Sequence, residues 1–138
     1  MKERIGNLQL RTRIASPEEA AMSIKNGMTI AMGGYAFSGY PKIIAGELVK
    51  RKEAGEDLQI NLITGANVGP EIDDALGCAN IIKRRMPMYE SKILAKLINQ
   101  GKVNYIEQQM NKMPNLIHNS IFGKIDVTVV EAIALTKE

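Results

Sequence analysis

Tryptophan is absent from this 138-residue chain, histidine and cysteine occur once each, and aromatic residues make up 4%. A single cysteine, Cys78, forms no internal disulfide, so the fold rests on packing and the chain suits the cytoplasm. A single histidine, His118, leaves no metal set of the His-rich kind. With no evident catalytic partner, it reads as a surface or helix-packing residue. No apolar run approaches the roughly 18 residues of a membrane span. Met1-Lys2-Glu3-Arg4 has no apolar segment behind it, which excludes a secretory signal. Basic residues number 18 and acidic ones 15, a net charge of +3. The basic runs, Lys50-Arg51-Lys52 and Lys83-Arg84-Arg85, carry no interleaved aromatics. They read as solvated helix faces, not as a nucleic-acid surface.

What is present describes a globular chain, with 45% apolar and 24% charged residues. A single domain of this length buries about 68–70% of its unfolded surface and needs no staple. After an extended lead-in over 1–15, Ser16-Pro17-Glu18-Glu19 predicts a capping box opening a helix that runs toward Gly27. Short apolar runs predict strands over 28–32, 59–64, 103–107 and 125–132, the last being the most apolar. Helices are predicted over 41–54, from Pro70 through Cys78, over 91–100 and over 113–121. This alternation predicts an α/β fold with an open, mostly parallel sheet and flanking helices. The chain closes just after its most apolar strand, which suggests a sheet edge awaiting a partner or a chain cut short.

Two loops leave a strand through glycine and enter a helix at proline: Gly33 through Lys42, and Thr64 through Glu71. In such sheets ligands bind outside the carboxyl ends of the strands. Backbone N–H groups at the following helix starts could hold a carboxylate or phosphate. The same glycines also read as plain turn residues. Neither loop has a dinucleotide or P-loop signature. Glu71, Asp73 and Asp74 form a carboxylate cluster that reads as first-turn acids favoured by the helix dipole, with metal binding the alternative. Cys78 reads as inert packing, and Met86, Met88, Met110 and Met113 as core filler.

The loops also carry a resemblance. Gly34-Tyr35-x-x-Ser38-Gly39-Tyr40-Pro41-Lys42 resembles the G-F-x-x-[SA]-G-Y-P-K stretch of the acetyl-CoA hydrolase/transferase family. Leu62-Ile63-Thr64-Gly65-Ala66, then Gly69-Pro70-x-x-Asp73, resembles its L-x-T-G-A-S-x-G-P-x-x-D. Arg84-Arg85-Met86-Pro87, Ile98-Asn99-x-Gly101-x-x-x-Tyr105 and Asp126-Val127 through Thr136 match further family motifs in order. So does the lead-in Arg4-Ile5-x-Asn7. The resemblance spans essentially the whole chain and is nearest to the succinyl-CoA:acetate CoA-transferases.

It implies the N-terminal half of a NagB/RpiA/CoA-transferase-like fold, one domain over 1–138, with the catalytic half absent. It implies an enzyme moving coenzyme A between an acyl thioester and a small carboxylate such as acetate or succinate. The intermediate would be a glutamyl-CoA thioester. The coenzyme A thioester is substrate, with no permanently bound cofactor or metal. The glutamate would lie outside this chain, leaving the 138 residues inactive alone; Glu131, at the end of a strand, matches a different position. Homodimerisation, or association with a catalytic half, is the implied assembly.

This portion would supply one wall of the acyl or carboxylate pocket: Gly34, Ser38, Gly39, Tyr40, Gly65, Ala66, Asn67 and Glu90. Three positions depart from the family. Asn67 and Glu90 stand where the family has small hydroxyls, and Gln109 where it has histidine. Asn67 can still donate a hydrogen bond, whereas Glu90 would repel a substrate carboxylate. The competing reading is a stand-alone, non-catalytic α/β module binding a small carboxylate or a partner subunit.

Overall fold

The structure, a computed structural model, describes residues 4–34, 37–66 and 68–136. The predicted capping box is present. Ser16 Oγ accepts from the Glu19 N–H at 3.1 Å, and the Glu19 carboxylate accepts from the Ser16 N–H at 2.8 Å. The helix it opens, α1 (Pro17–Ala21), is shorter than the sequence suggested. Carbonyls at its end and just after it accept from side chains: Ser23 Oγ donates to the Ala20 carbonyl, and the Arg51 guanidinium to those of Ala21 and Ile24. Such local bonding competes with helix continuation.

The remaining elements follow in alternation: β1 (Thr29–Met32), α2 (Ile43–Glu53), β2 (Ile60–Thr64), α3 (Asp73–Cys78) and β3 (Ile82–Met86). Then come α4 (Lys92–Asn99), β4 (Asn104–Tyr105), α5 (Met113–His118) and β5 (Val127–Val129). The strands form one parallel sheet in the order β4-β3-β2-β1-β5. Steps from β1 to β4 run one way across the sheet. The chain then returns to place β5 on the other side of β1.

The larger core lies between α1–α4 and one sheet face. There Ile30, Met32, Ile60, Leu62 and Ile82 meet Ala45, Leu48, Ile72, Leu76 and Leu94, all fully buried. The opposite face is covered more lightly by α5 and the segment after it, around Ile63, Met86 and Met113.

The main correction is β3, which the sequence reading left unassigned. Lys83-Arg84-Arg85 lies on this interior strand, not on a solvated helix. One extra residue, Lys83, sits between the pairs Ile60–Ile82 and Asn61–Arg84. A bulge of this kind shifts the alternation of side chains. Arg85 therefore faces α3, while Arg84 turns to the other face and donates to the Phe122 carbonyl. Arg85 is fully buried and grips Asp73 with two hydrogen bonds, Nε to Oδ1 at 2.8 Å and Nη2 to Oδ2 at 3.0 Å. Its Nη1 donates to the Met86 carbonyl at 2.7 Å. Asp73 is thus an ion-pair partner and not an open metal ligand. Burial pushes its carboxyl above the usual range, with the guanidinium pulling the other way.

Smaller corrections follow the same logic of exposure. Although 125–132 is the most apolar of the predicted strands, β5 is short and only half-buried at the sheet edge, and beyond it Val130 and Ile133 are 64% and 89% exposed. Glu131 lies past the strand end and pairs with Lys42 at 3.4 Å. Cys78 is exposed. Met110 is exposed too, while Met86 and Met113 are core residues. His118 is exposed on α5, as expected. Among the described residues, no helix is long and apolar enough to cross a membrane.

Candidate functional site

The two glycine loops emerge side by side from the carboxyl ends of β1 and β2 and are locked together. A Cβ on Gly65 would strike the Gly34 carbonyl oxygen, and one on Gly34 would lie 2.7 Å from Tyr40 Cβ. A Cβ on Gly69 would collide with the Tyr40 hydroxyl. Glycine is required at these places because backbone meets backbone or ring at contact distance. The first loop thereby buries Tyr40, whose hydroxyl donates to Glu71 Oε2 of the second loop at 2.6 Å. That bond holds the Glu71 carboxyl below its usual range and pushes the Tyr40 phenol up. Lys42 Nζ stands 4.3 Å over the Tyr40 ring and reaches Glu131 after β5. Contacts among Glu131, Lys42, Tyr40 and Glu71 tie three strand ends into one unit.

A third segment, 87–91, follows β3. The Met86–Pro87 peptide is cis. The Pro87 carbonyl accepts from the Tyr105 hydroxyl at 2.9 Å, and Tyr105 meets Tyr89 edge to face with centroids 4.8 Å apart. Ser91 caps α4, its Oγ accepting from the Leu94 N–H at 2.9 Å and donating to Asp74 Oδ1 of α3. So α3 is fixed to β3 by Asp73–Arg85 and to the start of α4 by Asp74–Ser91.

Between these segments lies a cleft of about 310 Å³, lined by Phe37, Val68, Gly69, Pro70, Asp74, Glu90 and Ser91. Phe37 is 60% exposed. Of the residues expected from sequence, Glu90 lines the cleft. Gly34, Gly65 and Tyr40 build the junction behind it, and Ala66 is half-buried beside them. Ser38 and Gly39 are exposed at the tip of the first loop. Asn67 lies outside the described residues. Sequence reasoning did not single out Phe37, Val68, Asp74 and Ser91 as lining. The short α3 carries Asp73 and Asp74 in its first turn, so carboxylates already answer its N-terminal dipole. A second hollow, of about 380 Å³, lies between the start of α2 and the end of β5, against the Lys42–Glu131 pair.

Residues 2–138 match the acetyl-CoA hydrolase/transferase N-terminal domain. Over 138 residues the chain is 36% identical to a succinyl-CoA:acetate CoA-transferase of Clostridium kluyveri, covering 99% of this chain and 26% of that protein. It is 34% identical over 124 residues to a propanoyl-CoA:succinate CoA transferase of Escherichia coli, covering 87% of this chain and 25% of that one. The chain therefore spans about a quarter of the length of these relatives. The crystal structure of RipA from Yersinia pestis superposes with a TM-score of 0.64 at 21% identity, over 94% of this chain and 29% of that one, which shows a shared fold. The chain belongs to the acetyl-CoA hydrolase/transferase family and corresponds to its N-terminal domain.

Proposed function

We propose that this chain is the N-terminal domain of an enzyme that moves coenzyme A between an acyl thioester and a small carboxylate. The observation that carries the reading is the family match over residues 2–138, joined to a relative at 36% identity that is a CoA-transferase. In the proposed chemistry a glutamate outside these 138 residues attacks the acyl thioester. The C–S bond breaks, leaving an acyl-glutamyl anhydride and the CoA thiolate. The thiolate then attacks the glutamyl carbonyl, releasing the carboxylate and leaving glutamyl-CoA. An acceptor carboxylate reverses these steps, and water in its place gives hydrolysis. The domain contributes one wall of the acyl pocket. The junction of Gly34, Tyr40, Gly65 and Gly69 holds the two loops rigid, and the cleft beside Glu90 receives the acyl tail. Rigid positioning of this kind lowers the entropic part of the barrier.

The test is a chimera in which these 138 residues replace the matching segment of the Clostridium kluyveri relative. It is assayed with acetyl-CoA or succinyl-CoA and excess acetate or succinate, beside the chain alone. Transfer by the chimera and none by the chain alone is expected. Transfer by the chain alone would place the nucleophile within it and overturn that part of the reading. A folded chimera without transfer would favour a non-catalytic binding module.

A further inference from the structure

Asn26-Gly27 is the single Asn-Gly step in the chain. Such a step is prone to react with itself, because glycine has no Cβ to hold its backbone nitrogen away from the preceding side chain. The deprotonated Gly27 nitrogen attacks Asn26 Cγ, a new C–N bond forms, and the side-chain nitrogen leaves as ammonia, taking the proton. The five-membered succinimide that remains is opened by water at either carbonyl. One opening gives aspartate. The other gives isoaspartate, in which the main chain runs through the former side chain.

Both residues are exposed, in the turn between α1 and β1, so burial does not protect them. Hydrogen bonds do, and one residue supplies the central pair. The Gln59 N–H, just ahead of β2, donates to Asn26 Oδ1 at 2.9 Å, while the Gln59 carbonyl accepts from the Gly27 N–H at 2.7 Å. Electrophile and nucleophile are thereby pinned to the two backbone groups of Gln59. Asn26 Nδ2 also donates to Asp57 Oδ2 at 3.3 Å, and Asn61 Nδ2 to the Gly27 carbonyl at 3.3 Å. The Gly27 proton that must leave for the attack lies in the bond to Gln59.

We infer that Asn26 is a modification site gated by the fold. It stays intact while the turn is closed on Gln59, deamidates when that contact opens, and once converted hinders reclosure. Aspartate sets a carboxylate oxygen against Asp57 where the amide had donated. Isoaspartate lengthens the main chain just ahead of β1, whose pairing with β2 begins at Thr29 and Asn61. The site lies at the amino ends of these strands, on the opposite edge of the sheet from the glycine loops, and its chemistry does not depend on the proposed transfer reaction.

The folded chain and a synthetic peptide of residues 20–47 are aged side by side in one mildly alkaline buffer. Cleavage of the chain after glutamate releases the same fragment, in which Asn26 is the only side-chain amide, so mass spectrometry reads its conversion directly. The peptide converts, and the folded chain is expected to convert at least about tenfold more slowly, equivalent to about 1.4 kcal/mol of opening. The slowing should match the protection of the Gly27 amide against hydrogen exchange, since both need the Gly27–Gln59 bond to open. Asn26→Asp, one of the two products, should unfold at lower urea than the parent, and adding Asp57→Asn should recover part of the shift. A folded chain that deamidates as fast as the peptide would overturn the inference. So would a slowing unrelated to Gly27 exchange, or a peptide that stays intact. An Asn26→Asp chain as stable as the parent would overturn the hindered reclosure.

Discussion

Replacing Arg85 by methionine removes the cation from a fully buried ion pair while roughly keeping its volume. Asp73, itself 1% exposed, then loses both hydrogen bonds from the guanidinium. Breaking one side of such a pair costs about 3–5 kcal/mol, a large share of the roughly 5–15 kcal/mol that holds a domain together. The cost has a pH signature. Desolvation already raises the Asp73 carboxyl above its usual value against the pull of Arg85, so losing Arg85 raises it further. A folded-state value above the unfolded one means that stability is fullest below the unfolded value of about 3.9 and falls as pH rises toward the folded one. Arg85→Met widens that window upward, so the variant is weaker at pH 8 than at pH 5.

Urea unfolding followed by circular dichroism at both pH values is the assay. With a slope of about 2 kcal/mol per molar, the midpoint at pH 8 drops by about 2 M, and by less at pH 5. Adding Asp73→Asn removes the stranded acid. The double variant recovers about half or more of the loss and shows no extra pH dependence. A single variant costing under about 1 kcal/mol at pH 8, or equally destabilised at both pH values, would refute the reasoning. The pair matters beyond stability because α3 carries Asp74 and follows directly on Gly69 and Glu71. An α3 released from β3 would open the cleft.

Two further outcomes test the loop junction. Gly65→Ala drives a methyl group into the Gly34 carbonyl. It lowers stability by about 1–3 kcal/mol in a thermal melt, as overpacking does, with chemical-shift changes at the Gly34 and Tyr40 amides. Tyr40→Phe removes the hydrogen bond that chiefly depresses the Glu71 carboxyl. Glu71 then loses stabilisation that is present above its ordinary value and fades as pH falls through the folded one. The acid-unfolding midpoint of Tyr40→Phe therefore moves to higher pH, and its curve converges on the parent's at the lowest pH.

The sequence made some of this legible and concealed the rest for physical reasons. The capping box at Ser16 and Glu19, and the strands around Ile30 and Leu62, follow local rules, so composition and periodicity found them. β3 did not show because Ile82-Lys83-Arg84-Arg85-Met86 is rich in charge. Its bulge also breaks the two-residue alternation by which strands are recognised. The partner that makes Arg85 tolerable inside the sheet lies twelve residues upstream on α3, and no local pattern links the two. The same limit applied at the cleft. Gly34, Tyr40 and Gly65 were singled out as site residues because they sit in matching motifs, yet their packing explains them: each is needed where two loops touch. The groups that face the open space, Phe37, Asp74, Glu90 and Ser91, come from three separate segments. Glu90 had been marked beforehand because it departs from the family pattern, and Asp74 only as part of a first-turn carboxylate cluster. Motif residues here build the junction between the loops, whereas Glu90, which departs from the family pattern, lines the cleft beside it.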